Sequence, residues 1–241
     1  MFRLDLDGDV ARLTLDRPEA RNAIALDGWE VLAARIGEVG ESSARLLILT
    51  GAGGAFCSGA DLSDFRLLAG DEAARSRFRA AMRSVLDAIP ALAMPAIALI
   101  DGPCYGAGVA LAMACDLRLA TASARFAITP AKIGISYPQE DVHRLVALVG
   151  IGQAARLLFT GAGIDADEAV RIGLVEAIVA DPDPTIELIL ANSADSLATL
   201  KRGIRLAGEG RRSDGGQDER LDALIGGAEL RRRLEALRGK W

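Results

Sequence analysis

Two glycine-rich turns, each behind a short apolar run, hold the residue types best suited to chemistry. One lies in LLILTGAGGAFCSGADL, residues 46–62, with glycines at 51, 53, 54 and 59. The other lies in IALIDGPCYGAGVALAMACD, residues 97–116, with Gly106 and Gly108 around Ala107. Glycine permits backbone geometry that a side chain forbids. A strand, a tight turn and a helix N-terminus leave backbone N–H groups without intrahelical partners. With the helix dipole behind them, such donors suit a developing negative charge. Two loops of this kind could bring two donors to one oxygen. The plainer reading is that Gly106 and Gly108 only let a helix pack closely on a sheet.

Few side chains compete for the role of acid or base. Tyr137 stands three residues after Gly134, and Glu140 and Asp141 follow at the start of a helix expected over 141–149. Carboxylates there would cap and charge the first turn. His143, the single histidine, could serve as a base. Beside Leu145, Val146 and Leu148 it is expected to be packed or at an interface. Ser136 is a weak candidate. Cys57, Cys104 and Cys115 offer neither a disulfide framework nor, with one histidine, a zinc site. Cys57 and Cys104 flank the two glycine loops and are expected to lie near each other as small apolar filler. A dinucleotide site is excluded, because Leu111 replaces the small residue that G-x-G-x-x-G/A needs and residues 117–120 supply no acidic group.

The elements that must position these groups alternate. Residues 2–6 and 10–15 read as a hairpin around Asp7-Gly8-Asp9. Helices are expected over 27–39 and 71–89, the latter ended by Pro90. Buried strands are expected at 46–49, 97–100 and 117–120. Strands alternating with helices imply parallel pairing with right-handed crossovers, an α/β class. Beyond Gly150 the pattern is helical over 151–159, 165–172, 184–207 and 219–237, with a polar loop over 208–218.

Composition narrows the partners. A net charge of −5 gives no attraction to nucleic acid or anionic membrane. No uninterrupted apolar run approaches 18 residues, and the charged N-terminus is unlike a signal peptide. A soluble, cytoplasmic protein is expected. Arg231-Arg232-Arg233, beside Glu229 and Glu235, reads as a solvated helix face.

GAFCSGADL and IDGPCYGAGVALAMACD, with Arg21-Asn22-Ala23 and LLFTGAGIDADEAVRIGLVEAIV, resemble the crotonase superfamily, the enoyl-CoA hydratase/isomerase family, over residues 2–180. The resemblance implies a spiral of repeated β-β-α turns over 1–180. It also implies a C-terminal helical layer over 181–241 that makes a trimer, with a trimer or hexamer as the assembly. It implies an acyl-CoA substrate and no cofactor beyond the CoA carried by that substrate. The two oxyanion donors would be the amides of Ala60 and Ala107, next to Gly106. Arg21 and Ala23 would flank pantetheine and phosphates, with Arg21 either on phosphate or paired to Glu19 or Asp16. The backbone of Asp61 and Leu62 would meet the adenine, and Lys240 would touch CoA.

The departures from the family pattern carry as much weight as the matches. Its hydratases carry two glutamates where this chain has Ala110 and Pro130, and neither residue can move a proton. The carboxylate of some isomerases and dehalogenases falls at Pro138. FAITPAKIGISY resembles methylmalonyl-CoA decarboxylases, which place a tyrosine at Tyr137 but a histidine at Ala60. Three functions follow: an enolate-stabilising enzyme of the hydratase/isomerase class, a decarboxylase of a malonyl-type CoA ester, or an acyl-CoA binder without catalysis.

Overall fold

A computed structural model describes residues 1–238. The N-terminal hairpin, β1 (Phe2–Asp7) and β2 (Val10–Leu15), is antiparallel. It is followed by α1 (Gly28–Glu41), β3 (Leu46–Gly51), α2 (Phe65–Gly70) and α3 (Glu72–Ala91). The α1 helix buries Trp29, Leu32, Ile36 and Val39, the one-sided spacing that makes a helix pack against a core. Next come β4 (Ala96–Ile100), β5 (Pro103–Tyr105), α4 (Ala107–Ala114), β6 (Leu117–Ala120) and β7 (Arg125–Ala127). The remainder is α5 (Gln139–Thr160), β8 (Ile164–Asp165), α6 (Ala166–Arg171), β9 (Ala177–Ile178) and helices α7 (Asp183–Leu190) to α10 (Ala228–Arg238).

Strands sort into two sheets. The larger has the order β1-β2-β3-β4-β6-β9, parallel beyond the hairpin, and the smaller is β5-β7-β8. The β4-β5-α4 and β6-β7-α5 turns each place their first strand in the large sheet and their second in the small one. That is the β-β-α spiral the resemblance implies. The short strands β5, β7, β8 and β9 escape a sequence reading because two or three residues carry no periodicity.

Several boundaries move. The helix expected over 184–207 is two, α7 and α8 (Ala194–Gly208), because Ser193 caps a fresh start by accepting from Ser196 N–H. The helix expected over 219–237 is α9 (Gly215–Gly226) and α10, broken at Gly227, so the polar loop is shorter than 208–218. Pro90 lies inside the last turn of α3 instead of ending it. Lacking an N–H, it leaves Leu86 carbonyl free, and Arg144 Nη2 donates to that oxygen at 2.9 Å. The α5 helix joins two expected helices across Gly150 (φ 75°, ψ 163°). At mean hydropathy 1.3 it is long and apolar enough to cross a membrane, against the expectation that no segment is. It nevertheless packs Leu145, Val149, Ala154 and Leu157 into the protein interior.

The C-terminal helices are tied to the core by a buried ammonium. Lys201 Nζ on α8 donates to the carbonyls of Ile89 (3.2 Å) and Met94 (2.9 Å) and pairs with Asp116 at 2.8 Å.

Candidate functional site

The two glycine loops meet. Cys57 and Cys104 form a parallel β-bridge, and Tyr105 N–H donates to Cys57 carbonyl at 2.8 Å. Gly108 lets this contact close: a Cβ there would stand 2.3 Å from Cys57 carbonyl oxygen. Gly59 (φ +104°) does the same on the other side, where a Cβ would lie 3.3 Å from Ala107 nitrogen.

The same contacts orient the amides. Ile24 N–H donates to Gly59 carbonyl and Asp61 N–H donates to Ile24 carbonyl, each at 2.9 Å. Those bonds bracket Ala60, whose own N–H therefore faces away from Ile24. Ala107 opens α4 behind Gly106 (φ 51°, ψ −118°), so its N–H has no carbonyl one turn back. Among the described residues, neither amide donates to a protein acceptor.

Ala60, Gly106 and Ala107 share the wall of a cavity of about 330 Å³ with Leu62, Tyr137 and Asp141. Phe65, Phe78, Met82 and Ile133 make much of the remainder apolar. Ala110 and Pro130 also line it. The two substitutions that remove carboxylates from the family pattern thus both face one space. A larger cleft of about 780 Å³, between Asp87, His143, Arg144, Lys201 and Arg205, touches neither glycine loop. Size here does not mark the chemistry. His143 lies in that cleft and is exposed, not packed.

Tyr137 is buried, and its hydroxyl donates to Gly106 carbonyl at 3.0 Å. Burial, helped by the nearby Asp141 carboxylate, pushes the phenol well above its ordinary value of 10.0. Asp141 is fully buried. Its Oδ1 meets Arg83 at 3.3 Å and Arg144 at 3.2 Å, while Oδ2 has no partner. Glu140 departs from expectation as a site residue: it is absent from the cavity wall, 61% exposed, and 3.7 Å from Arg83.

The expected CoA residues divide. Leu62 is on the wall and 61% exposed. Arg21 and Ala23 are off it, on the strap that pairs with residues 58–61. Arg21 is left-handed (φ 50°) and exposed, and it forms no ion pair among the described residues. Its proposed pairing with Glu19 belongs instead to Arg17, at 3.8 Å. Arg17 also holds Asp61 at 2.7 Å. The Ser63 hydroxyl, then Arg17, draw the Asp61 carboxyl below its ordinary value. Lys240 lies outside the described residues.

Two further residues, Arg83 and Arg144, are absent from the sequence reading, and Asn22 enters it only as part of Arg21-Asn22-Ala23. All three take their roles from tertiary contacts that no local spacing announces. Asn22 is buried at φ 58°, donating to Ala52 (2.9 Å) and Ala55 (2.7 Å) carbonyls and accepting from Arg17 N–H (2.9 Å). The cysteines are buried and free; burial pushes Cys57 and Cys115 up to about 12. Among the described residues no group of three metal-ligating side chains converges.

Residues 5–203 match the model of the family described as enoyl-CoA hydratase/isomerase. A short-chain-enoyl-CoA hydratase of Clostridium acetobutylicum is 38% identical over 178 residues, 73% of this chain and 67% of that protein. A crotonyl-CoA hydratase of Syntrophomonas wolfei is 35% identical over 217 residues, 88% and 82% of the two chains. A solved structure from Hyphomonas neptunium, described as an enoyl-CoA hydratase/isomerase family protein, has a TM-score of 0.94 at 33% identity. It covers 99% of this chain and 95% of its own.

Proposed function

The chain belongs to the enoyl-CoA hydratase/isomerase family, within the crotonase superfamily, and from that premise we propose that it transforms acyl-CoA thioesters through an enolate. The amides of Ala60 and Ala107 hold the thioester oxygen as it gains charge. Preorganised donors of this kind contribute roughly 10²–10³ in rate each. The observation that carries the reading is the pair of unused N–H groups on one cavity wall, with Gly59 shaped to let them approach. CoA enters with the substrate and no other cofactor is needed.

Hydration by two glutamates is not the chemistry proposed, because Ala110 and Pro130 occupy that part of the wall. Tyr137 does not replace them, since its proton is committed to Gly106. One observation favours a second reading, a decarboxylase of a malonyl-type ester: Arg79 lines the cavity and forms no ion pair among the described residues. It could receive a second carboxylate on the acyl group. Self-association as a trimer or hexamer fits large exposed apolar side chains on α5 and α8, Phe159 (82%) and Ile204 (73%).

The decisive variant is Ala107→Pro. Proline is tolerated at the first position of a helix and replaces an N–H that the helix does not use with a ring carbon that cannot donate. Turnover of a 3-enoyl-CoA should fall by roughly 10²–10³ with circular dichroism unchanged. An unchanged rate would remove the Ala107 amide from the mechanism. Release of carbon dioxide from methylmalonyl-CoA would select the decarboxylase. Tight acyl-CoA binding without turnover of either ester or of crotonyl-CoA would select a binding protein.

A further inference from the structure

The charged side chains on the cavity wall are Arg79 and Asp141 among the described residues, and they do not meet. Asp141 is fully buried, and its Oδ1 is answered by Arg83 at 3.3 Å and Arg144 at 3.2 Å. Asp87 backs both of those arginines, at 3.0 Å from Arg83 Nε and 3.1 Å from Arg144 Nη2. Arg79 has no share in that network.

The α3 helix explains why. Arg75, Arg79 and Arg83 recur every four residues and so lie on one helix face. Arg75 closes the end of α2, donating to the Leu68 and Ala69 carbonyls at 2.8 and 3.2 Å. Arg83 reaches Asp141 and Asp87. Between them Arg79 is exposed, with no ion pair and no side-chain hydrogen bond among the described residues. The residues three and four positions away from it are Arg75, Ser76, Met82 and Arg83. The helix therefore offers Arg79 two like charges and no carboxylate, an arrangement that costs helix stability. It bears that cost at the one guanidinium that lines the cavity without a partner.

We propose that Arg79 selects acyl-CoA esters whose acyl group ends in a second carboxylate, a dicarboxylic acid joined to CoA through one of its two acid groups. The inference rests on the acyl-CoA reading above and deepens it, and it holds whether that carboxylate stays or leaves in the reaction. Two effects act together. An acyl chain filling the cavity of about 330 Å³ strips water from the guanidinium, and an apolar chain gives nothing in return. A carboxylate supplies two parallel acceptors for the guanidinium fork. Selectivity then comes from a penalty on the wrong ester as well as from a bond to the right one. Phe65, Phe78, Met82 and Ile133 suit the methylene body between the thioester and that carboxylate. The phosphates of CoA are the other anion within the same ligand, and the test separates the two.

Calorimetry on the full chain compares glutaryl-CoA with pentanoyl-CoA, saturated esters of equal carbon number that differ in the terminal group. Glutaryl-pantetheine, which keeps the acyl group and lacks the phosphates, is the third ligand. The wild type should bind glutaryl-CoA roughly tenfold more tightly than pentanoyl-CoA. Arg79→Met should abolish that preference by weakening both glutaryl esters alike. Pentanoyl-CoA binding should be unchanged or tighter in the variant, with its circular dichroism unchanged. Arg79→Lys retains a point charge without the fork and should keep part of the preference. Equal affinity of the wild type for glutaryl-CoA and pentanoyl-CoA would overturn the assignment. So would an equal loss of both CoA esters in Arg79→Met with glutaryl-pantetheine unaffected, which would put Arg79 on a CoA phosphate. If neither CoA ester binds the wild type, the acyl-CoA reading itself fails, and this assignment with it.

Discussion

The Tyr137 hydroxyl donates to the carbonyl of Gly106, 3.0 Å away, and so holds the turn that presents the Ala107 amide. Gly106 carbonyl also accepts from Val109 and Ala110 N–H, at 2.9 and 3.3 Å. Removing the hydroxyl therefore leaves that oxygen satisfied. Tyr137→Phe should cost about 0.5–1.5 kcal/mol in thermal unfolding. Turnover should fall by less than about tenfold, well short of the loss of a general acid. The raised phenol adds no pH dependence near neutrality: its folded-state preference for the proton is fully present below pH 10 and fades only above it. A hundredfold loss of turnover with a shifted pH profile would make Tyr137 an acid instead of a positioning residue.

Gly108 is where α4 touches the other loop. A Cβ there meets Cys57 carbonyl oxygen at 2.3 Å and Cys57 Cβ at 2.9 Å, so neither neighbour can yield without moving backbone. Gly108→Ala should lower stability by about 1–3 kcal/mol. It should lower turnover far more than stability, because it drives apart the amides of residues 60 and 107. Gly152→Ala is the control: its Cβ meets nothing within 4 Å, and alanine in a helix should be neutral or stabilising by up to about 1 kcal/mol. Equal activity in both variants would show that the loops need not touch.

What the sequence exposes and what it hides differ in kind. The loops are legible because their constraint is on backbone conformation, and glycine at 59, 106 and 108 is the only cheap solution. The missing carboxylates at Ala110 and Pro130 are legible for the opposite reason, since a residue without a proton is silent in any fold. Asp141 is legible only as one acid or base candidate among few. A carboxylate in the first turn of a helix looks like a cap, and no local spacing announces its contact with Arg83, 58 residues away. Arg17 and Arg21 are similarly ambiguous at four residues' separation. The ion pairs go to Arg17, while Arg21 is left-handed at φ 50° and forms none among the described residues.

Asn22 tests the strap behind that loop. Its amide nitrogen donates to two carbonyls, Ala52 and Ala55, and asparagine tolerates the left-handed φ of 58° better than most residues. Asn22→Asp keeps size and backbone preference but sets an anion against both oxygens. A loss of at least about 2 kcal/mol is expected, read as a fall of roughly 5 °C or more in Tm. A Tm within a degree of wild type would mean that the strap holds through Ile24 and Ser58 alone.

The C-terminal helices hang on Lys201, buried against Ile89 and Met94 carbonyls and Asp116. Lys201→Met preserves the stem but leaves Asp116 and two carbonyls without their cation. The expected cost is roughly 3 kcal/mol. Limited proteolysis should then cut ahead of α8 sooner than elsewhere; an unchanged cleavage pattern would refute the anchoring role.

Acid should loosen the Ala60 loop before it unfolds the core. Asp61 has a folded-state value below its ordinary 3.8, set first by the Ser63 hydroxyl and next by Arg17. Such a group stabilises the fold above pH 3.8, and that contribution is lost as pH falls from 3.8 through the depressed value. Asp141 works in the opposite sense: its raised value adds stability as pH falls toward 3.8, because the folded state takes up the proton first. Between these two, the loop should release while α5 stays seated. Ser63→Ala and Arg17→Met should each move loop release to higher pH. Hydrogen exchange at Asp61 and Ser63 amides, compared with Leu145 and Val149 across pH 5 to 3, reads the order directly. Simultaneous exposure of both segments in the wild type would show that Asp61 governs nothing separate from the whole.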